Sequence, residues 1–533
     1  MKQLGRRGFV LAVLAAIAGM LHAGSFAPWN LPWLQVLALA VLFALEARCD
    51  SAKASALLGF AFGLGWFGVG ISWVYISMHV YGQMPMALAG AATAAFCSYL
   101  ALYAAAALGL ARKVFPATLA RLTLGLPALW MISEWMRGTV FTGFPWLAGG
   151  YAHTDGPLAG WAPTLGMYGI TLMASLLAGA IALLTVSRKA LSESSSGSRR
   201  LAWATGVLLL CVGGGWIGST VAWTHPSGAP ISVRLVQANV AQELKFEPNG
   251  IVRAFDAHWK LMQGSRVDLV ALPESIFPVP MHLVPPTYLQ AFREFARAKR
   301  SAVTFGIFLE EPRANYFNSA VAFAPEAPSA VAGAQAGDLP LLRYSKRHLV
   351  PFGEFVPPGF RWFVDLMQMP IGDQQRGRSA QPLALAGQRI AINICYEDLF
   401  GAEIIEAWRT PGAEPTVMLN MSNLAWFGDS LALPQHLQIS RMRVLETQHP
   451  MLRATNTGAT AIIGAHGQVT AELPVLTSGA LNGQVQGYDG ATPYIRYGNW
   501  PALLIALLLG VVALGMRRSQ RAFAVRDPYN RFR

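Results

Sequence analysis

The sequence predicts a helical membrane domain joined to one large α/β domain. Hydrophobic residues make up 53% of the 533 residues and charged residues only 13%, against roughly 25% charged in a typical soluble domain. Apolar stretches fill the first 221 residues and the end of the chain, whereas the segment between them alternates short strand-like and helical patterns. This composition excludes a disordered chain, a coiled coil and a small disulfide-bonded scaffold.

Eight apolar spans can be recognised, and several are shorter than the roughly 20 residues that cross a bilayer. Aromatic residues and prolines gather at their ends, as expected at a membrane interface. Arg6 and Arg7 precede the first span, which therefore also resembles a signal peptide, although a retained anchor is favoured. The spans are Phe9–Leu21, Leu31–Leu45, Ala54–Met78, Met86–Ala111, Leu122–Met136, Pro163–Val186, Leu201–Val221 and Pro501–Met516.

The net charge of +13 is concentrated in short stretches beside the spans. Eighteen of the 41 basic residues lie, with only four acidic residues, at the N-terminus, after the second, fourth and sixth spans, and at the C-terminus. The other 23 basic and 24 acidic residues nearly cancel, so the basicity indicates membrane orientation and argues against nucleic-acid binding. Under the positive-inside rule both termini are cytoplasmic, and the segment between the last two spans is external.

This arrangement predicts three regions of the chain. Residues 1–219 form a membrane domain with spans one to seven, residues 220–499 form an external domain, and residues 500–533 hold the eighth span and a cytoplasmic tail. The external segment is long enough for one large domain. Its alternating strands and helices are typical of a layered α/β fold.

Three strand ends in the external domain carry residues suited to catalysis. Glu274 ends the string DLVALPES, Lys346 follows the strand-like LRYS, and Cys395 ends RIAINIC. Cysteine is a nucleophile, a carboxylate can take its proton, and an ammonium can stabilise a thiolate or an oxyanion. Taken singly, each residue has an ordinary alternative, such as a solvated carboxylate or a small buried thiol. Cys395 is the only cysteine of this domain, which therefore has no internal disulfide.

The strings around these residues resemble the nitrilase superfamily. LPES, YSKRHLVPFGEFVP, NICYED and SNLAWFG match its ordered Glu–Lys–Cys triad, and SEWMRGTVFTGFPW in the membrane part is similar to the apolipoprotein N-acyltransferase family. The resemblance covers nearly the whole chain and implies a nitrilase-like αββα sandwich for the external domain. Phe246 departs from the family, where tryptophan is frequent, so altered substrate packing is expected at that position.

The family resemblance implies a multi-pass enzyme of the inner membrane of a Gram-negative bacterium, with its catalytic domain in the periplasm. Cys395 would accept an sn-1 acyl chain from a phospholipid, usually phosphatidylethanolamine, as a thioester and pass it to the α-amine of a diacylated apolipoprotein. Glu274 would act as the base and Lys346 would stabilise the oxyanion. A monomer is expected, without a cofactor or metal. The supporting residues implied by the match are Glu354, Tyr396 and Glu397.

An apolar segment, Phe355–Gly372, follows the lysine-bearing loop. We interpret it as a lid that dips into the membrane over the site, because lipid substrates must enter from the bilayer. The alternative is a core helix with flanking loops. The candidate substrate-binding residues are Phe246, Phe355, Trp362, Phe363 and Trp426.

Two other functions compete with acyl transfer. A membrane-tethered amidase would share the triad but would not require eight spans or an apolar lid. A transporter would need ionisable residues along its spans, and Glu134 and Arg137 are almost the only ones present. Their i,i+3 spacing favours an ion pair near the outer end of the fifth span.

The charge pattern makes a prediction about topology. A reporter fused after Arg200 should be cytoplasmic, and one fused near Ser227 should be external, because the basic bias ends between these positions. Paired phosphatase and fluorescent-protein fusions measure this directly. The opposite signal at either position would contradict the eight-span arrangement.

Overall fold

A computed structural model describes residues 6–186, 197–241, 249–311, 315–325, 339–359, 361 and 373–526. Contacts divide the chain into two compact units. An apolar helical unit comprises Met1–Tyr75, Met84–Val221 and Tyr497–Arg533, and a sheet unit comprises Ile76–Gln83 and Ala222–Arg496.

The helical unit is built from the apolar stretches of the sequence. Within the described residues, five helical runs are long and apolar enough to cross a membrane: Arg6–Ala23, Ala52–Gly70, Met86–Val114, Pro157–Thr185 and Gly197–Ser219. Two apolar helices, Pro32–Glu46 and Trp500–Met516, are shorter. The chain is thus a membrane protein by its helices, while the count of eight spans stays a prediction. The remaining helices of this unit are Trp73–Ile76, Thr118–Ala120 and Leu126–Arg137.

Glu134 and Arg137 form the predicted ion pair, with Arg137 Nη2 3.7 Å from Glu134 Oε2. Both side chains are buried within the protein. Arg137 Nη1 donates to the carbonyls of Phe144 at 2.5 Å and Trp146 at 2.8 Å, and Glu134 Oε2 accepts from the Gly149 N–H at 2.6 Å. The pair therefore anchors the loop that follows its own helix, which is a structural role.

The sheet unit contains two six-stranded sheets within its described residues. One has the order β13-β2-β3-β4-β5-β6 and the other β12-β11-β10-β9-β8-β7, while β1 pairs with β14 apart from both. The strands are β1 (Thr224–Pro226), β2 (Ile231–Gln237), β3 (Leu269–Ala271), β4 (Ala302–Glu311), β5 (Asn315–Phe323), β6 (Leu341–Ser345), β7 (Leu383–Leu385), β8 (Gln388–Ile394), β9 (Val417–Ser422), β10 (Met451–Thr455), β11 (Ala461–Ile463), β12 (Val469–Glu472), β13 (Gly479–Val485) and β14 (Tyr488–Gly490).

The two sheets pack face to face, and helices cover their outer faces. Leu235 of β2 and Leu419 of β9 belong to the core between the sheets. Their neighbours Val236 and Met418 point the other way, as alternation along a strand requires, and pack against the helical layers. The predicted αββα sandwich is therefore confirmed. The larger helices of these layers are Gly250–Met262, Pro286–Lys299 and Ala432–Thr447.

Strand direction determines where the loops with chemistry lie. β2, β3 and β4 run parallel, and so do β8, β9 and β10. β6 is antiparallel to β5, which is antiparallel to β4, so β3 and β6 run in the same direction. The chain consequently leaves β3 and β6 at the same edge of one sheet.

Candidate active site

The ends of three strands bring the predicted triad together. Glu274 lies three residues after β3, Lys346 directly follows β6, and Cys395 directly follows β8 of the facing sheet. Lys346 Nζ lies 3.7 Å from Glu274 Oε1, and both charges act on the Cys395 thiol. Residues 72 and 49 positions apart in the sequence thus form one site.

Glu274 is held by two donors and is 7% exposed. Its Oε1 accepts a 2.7 Å hydrogen bond from Asn318 Nδ2, and its Oε2 accepts a 2.9 Å bond from the Asn423 N–H. Gly306 of β4 allows the Glu274 loop to approach, since a Cβ there would overlap the backbone of Glu274 and Ser275. These contacts fix the direction of the carboxylate.

Lys346 is 1% exposed and is paired with Glu354. Its Nζ donates to Glu354 Oε1 at 2.8 Å, and Glu354 Oε2 accepts from the Val350 N–H at 2.8 Å. Burial alone would lower the pKa of Lys346, but Glu354 and Glu274 raise it above its ordinary value. The ammonium is therefore charged at neutral pH.

Asn318 connects the two carboxylates and was not anticipated from the sequence. It lies in β5, and its Nδ2 donates to both Glu274 Oε1 and Glu354 Oε1, the latter at 3.0 Å. Its own carbonyl accepts from the Lys346 N–H at 2.8 Å. An asparagine within a strand-like string such as NYFNSAV could have indicated this role, because a buried side-chain amide requires hydrogen-bond partners.

The backbone at Cys395 is held in an unusual conformation. Its φ is +53°, a left-handed value that is strained for a residue with a side chain. Asn420 Nδ2 donates to the Cys395 carbonyl at 3.2 Å, which helps to hold the turn. The half-buried side chain is thereby presented at the end of β8.

The Cys395 thiol is protonated in the resting site. Burial is the main cause that raises its pKa well above the ordinary value, and the negative charge of Glu274 adds to the increase. The Lys346 ammonium acts in the opposite sense but does not outweigh them. A base must therefore remove the proton as the sulfur reacts.

Glu397 joins the turn at Cys395 to the loop at Lys346. Its two oxygens accept from the Tyr344 hydroxyl at 3.0 and 2.9 Å, while backbone N–H groups of Arg347 and Ile394 donate to it at 2.6 Å each. Tyr396 is buried beside it, with its ring centroid 5.2 Å from that of Phe400. Both residues that were predicted to support the nucleophile thus contact the nucleophile's turn.

A buried polar network lies beneath this turn. Asp398 Oδ2 accepts from Arg453 Nη1 at 3.1 Å and from the Ser440 hydroxyl, and Arg453 Nη2 lies 2.8 Å from His436 Nδ1. Burial raises the pKa of Asp398 to about 6, although Arg453 opposes the shift. Within the described part of the chain, no group of three or more His, Cys, Asp or Glu residues is arranged to hold a metal ion.

The candidate substrate-binding residues are only partly described. Phe355 is half-buried, and the Arg376 guanidinium lies 5.6 Å from its ring centroid. Trp426 is 40% exposed, and its carbonyl accepts a 2.8 Å bond from the Ser77 hydroxyl. Three further candidates lie outside the described residues: Phe246, Trp362 and Phe363.

Comparisons with known proteins give matches for both the helical part and the sheet part of the chain. The family described as Apolipoprotein N-acyltransferase N-terminal domain matches residues 18–180, and the family described as Carbon-nitrogen hydrolase matches residues 232–494. The chain is 46% identical over 514 residues to apolipoprotein N-acyltransferase of Ralstonia nicotianae, covering 95% of this chain and 94% of that protein. It is 43% identical over 546 residues to that of Bordetella bronchiseptica, covering 96% and 97%. Among solved structures, Saccharomyces cerevisiae Nit3, a nitrilase-superfamily member, is 15% identical with a TM-score of 0.35, covering 50% of this chain and 92% of that chain.

The effect of Glu274 on the Cys395 thiol predicts that replacing Glu274 changes the pH dependence of Cys395 alkylation. In Glu274→Gln the Cys395 pKa should fall, because a negative charge that disfavours the thiolate is removed. Alkylation by iodoacetamide, followed by peptide mass spectrometry, should therefore rise at lower pH than in the wild type. Glu310→Gln, at a partly exposed carboxylate, should leave the profile unchanged. If the alkylation of Glu274→Gln has its inflection at the same pH as the wild type or at a higher pH, the assigned effect of the Glu274 charge on the Cys395 thiol is contradicted.

Asn318→Asp should destabilise the protein in a pH-dependent way. The change puts a third carboxylate against Glu274 and Glu354 and removes the amide donor that they share. Repulsion between the negative charges therefore grows, and stability is lost as the pH increases. The melting temperature in detergent should fall by roughly 5 °C or more at pH 8 and by less at pH 5.

The matched control for Asn318→Asp is Asn482→Asp. Asn482 Oδ1 accepts a 2.9 Å bond from Arg234 Nε, so a carboxylate there gains a cationic partner. Equal melting temperatures for Asn318→Asp and the wild type at both pH values would show that Asn318 is not a required donor.

Proposed function

Because the chain belongs to the apolipoprotein N-acyltransferase family, we propose that it moves the sn-1 acyl chain of a phospholipid onto the N-terminus of diacylated apolipoproteins. It is an N-acyltransferase of the membrane. The acceptor group is the α-amine of the diacylglyceryl-cysteine, and phosphatidylethanolamine is the donor that the family resemblance implies. The observation that carries the proposal is the meeting of Glu274, Lys346 and Cys395 in a chain that also has long apolar helices.

In the first half-reaction, Cys395 Sγ attacks the sn-1 ester carbonyl. Glu274 takes the thiol proton as the carbon–sulfur bond forms, which avoids a free thiolate in a site that disfavours it. The oxyanion lies near the Lys346 ammonium and the Tyr396 N–H. The ester bond then breaks, the lysophospholipid oxygen receives the proton from Glu274, and a thioester remains on Cys395.

In the second half-reaction, the α-amine of the acceptor attacks the thioester. Glu274 accepts a proton from the amine, and the same donors stabilise the second oxyanion. The carbon–sulfur bond breaks as Glu274 returns the proton to the leaving sulfur, so that no free thiolate forms. The products are an amide and free Cys395. A thioester is a good acyl donor to an amine, so no separate cofactor is needed.

The supporting residues act by position. Glu354 binds Lys346 Nζ at 2.8 Å and shares the Asn318 amide with Glu274, so it sets the distance between the base and the ammonium. Glu397 joins the loops of Lys346 and Cys395. We therefore assign Glu354 and Glu397 as positioning residues.

The proposed setting is the inner membrane of a Gram-negative bacterium. Eight spans, with residues 1–219 and 500–533 in the membrane and cytoplasm, leave the catalytic domain at residues 220–499 in the periplasm. The enzyme acts there as a monomer. Support comes from the distribution of basic residues beside the apolar helices.

A half-reaction tests the proposed mechanism. Phospholipid alone should load one acyl chain onto Cys395, because without an amine the thioester has no acceptor and accumulates. Intact-protein mass spectrometry should show an acyl-sized gain in the wild type, its release by neutral hydroxylamine, and its transfer to an added diacylated lipopeptide.

Cys395→Ala is the matched control and should never be labelled. Cys49, Cys97 and Cys211 are buried in the helical unit, so alanine at these positions should leave loading unchanged. A mass gain in both Cys395→Ala and the wild type would contradict the proposal. So would full turnover without any loading. Hydrolysis of a small soluble amide, with no transfer to lipopeptide, would instead favour an amidase.

The lid hypothesis is tested by Trp362→Ser/Phe363→Ser. Loss of apolar anchoring should impair reaction with bilayer phospholipid more than with a short-chain soluble ester, because anchoring helps only when the donor is in a membrane. Rates on both donors are measured side by side. An equal loss on both would favour a core role for the two rings.

A further inference from the structure

A cavity of about 980 Å³ opens in the helical unit, far in sequence from the catalytic residues. It lies where four helices begin or end, and its wall includes the guanidinium-bearing residues Arg6, Arg7, Arg48 and Arg112. Asp50 is the only acidic residue among the described residues of this wall. Like charges around one cavity repel one another, and an anion in the cavity would relieve that repulsion.

One of these arginines is fixed in place by the protein. Arg112 donates to the Cys49 carbonyl, and its Nη1 lies 3.7 Å from Glu46 Oε1. Glu46 is fully buried and is shared, because its Oε2 also pairs with Arg121 Nε at 3.0 Å. The Glu46 charge is thus divided between two arginines and does not compensate the others.

The other three arginines are available to a ligand. The guanidinium groups of Arg6, Arg7 and Arg48 make no ion pair or hydrogen bond within the described part of the chain. Arg6 and Arg7 begin one helix and Arg48 follows the end of the next, so they approach the cavity from different sides. Guanidinium groups bind phosphate oxygens in paired geometry.

The wall of the cavity is also apolar. Val10 and Leu14 line it next to Arg6 and Arg7, and their side chains are 48% and 44% exposed. They belong to the exposed apolar face of the helix Arg6–Ala23, which continues through Ile17 and Leu21. An apolar strip that starts at a cationic cavity suits a ligand with an anionic head and hydrocarbon chains.

We propose that this cavity binds the headgroup phosphate of an anionic phospholipid, with its chains along the apolar face of Arg6–Ala23. The lipid is a bound partner and not the acyl donor, because none of Glu274, Lys346 and Cys395 lines the cavity. A free phosphate would satisfy the arginines but would leave the apolar strip uncovered.

The experiment uses the full-length protein in detergent and native mass spectrometry. The probes are phosphatidylglycerol and phosphatidylcholine with ether-linked chains, which cannot donate an acyl group. Wild-type protein should retain phosphatidylglycerol in preference to phosphatidylcholine. Arg6→Gln/Arg48→Gln should weaken phosphatidylglycerol binding by roughly tenfold or more, because each arginine near an anionic headgroup contributes substantially. Phosphatidylcholine binding should not change.

Lys53→Gln/Lys113→Gln is the matched control. Lys53 lies in the basic stretch of Arg48, and Lys113 lies in that of Arg112. Their substitution removes the same amount of charge, but neither lysine lines the cavity. Their loss should change binding by less than about twofold, because distant exposed charges are screened. If Arg6→Gln/Arg48→Gln is not monodisperse, Arg7→Gln takes its place with the same expectation.

Three results would overturn the proposal. Equal affinity for the two lipids would show that the protein has no preference for an anionic headgroup. Equal effects of the two double variants would show that binding depends on overall charge and not on the arginines of the cavity. Displacement of phosphatidylglycerol by millimolar inorganic phosphate or glycerophosphoglycerol would identify the ligand as a soluble phosphate.

Discussion

The burial of the Lys346 ammonium is the constraint on which the site depends. A charge that is 1% exposed persists only with close counter-charges, and Glu354 at 2.8 Å and Glu274 at 3.7 Å supply them. Two carboxylates against one ammonium leave a net negative charge, so a thiolate at Cys395 would be a second one. This balance supports the proposed removal of the proton by Glu274 during attack, because that route avoids both a free thiolate and an unpaired lysine.

Residues of both sheets contribute to the site. Asn318 lies in one sheet, and Glu274 and Lys346 follow strands of that sheet. Asn420 lies in the other sheet, and Cys395 and Asn423 follow its strands. The Asn423 N–H on Glu274 and the Tyr344 hydroxyl on Glu397 cross from sheet to sheet. A change in the core between the sheets would therefore shift the base relative to the nucleophile, and the strained turn at Cys395 persists because contacts on both sides hold it.

The sequence predicted the three residues of the triad better than the residues that hold them in place. Glu274, Lys346 and Cys395 end strands whose apolar runs are visible without any structure, and the strings around them resemble one superfamily. Asn318 was missed because β5 mixes polar and apolar residues, and its function lies in two amide bonds that only the fold creates. β13 is hard to recognise from the sequence, because it contains glycine and pairs with β2, which lies more than 200 residues away. The contribution of Asn423 is a backbone N–H, which no side-chain pattern can reveal.

Charges in the helical unit follow the rule that governs Lys346. Two buried arginines of this unit have a carboxylate partner: Arg121 has Glu46 and Arg137 has Glu134. This pairing is expected, because an unpaired charge in an apolar environment is costly. Arg6, Arg7 and Arg48 are exposed instead and have no carboxylate partner among the described residues, and they line an open cavity where a ligand can supply the counter-charge. Internal carboxylates would have closed that cavity to anions. An open cavity lined by exposed arginines thus differs from a buried ion pair, such as that of Arg121 with Glu46, in leaving room for an anionic ligand.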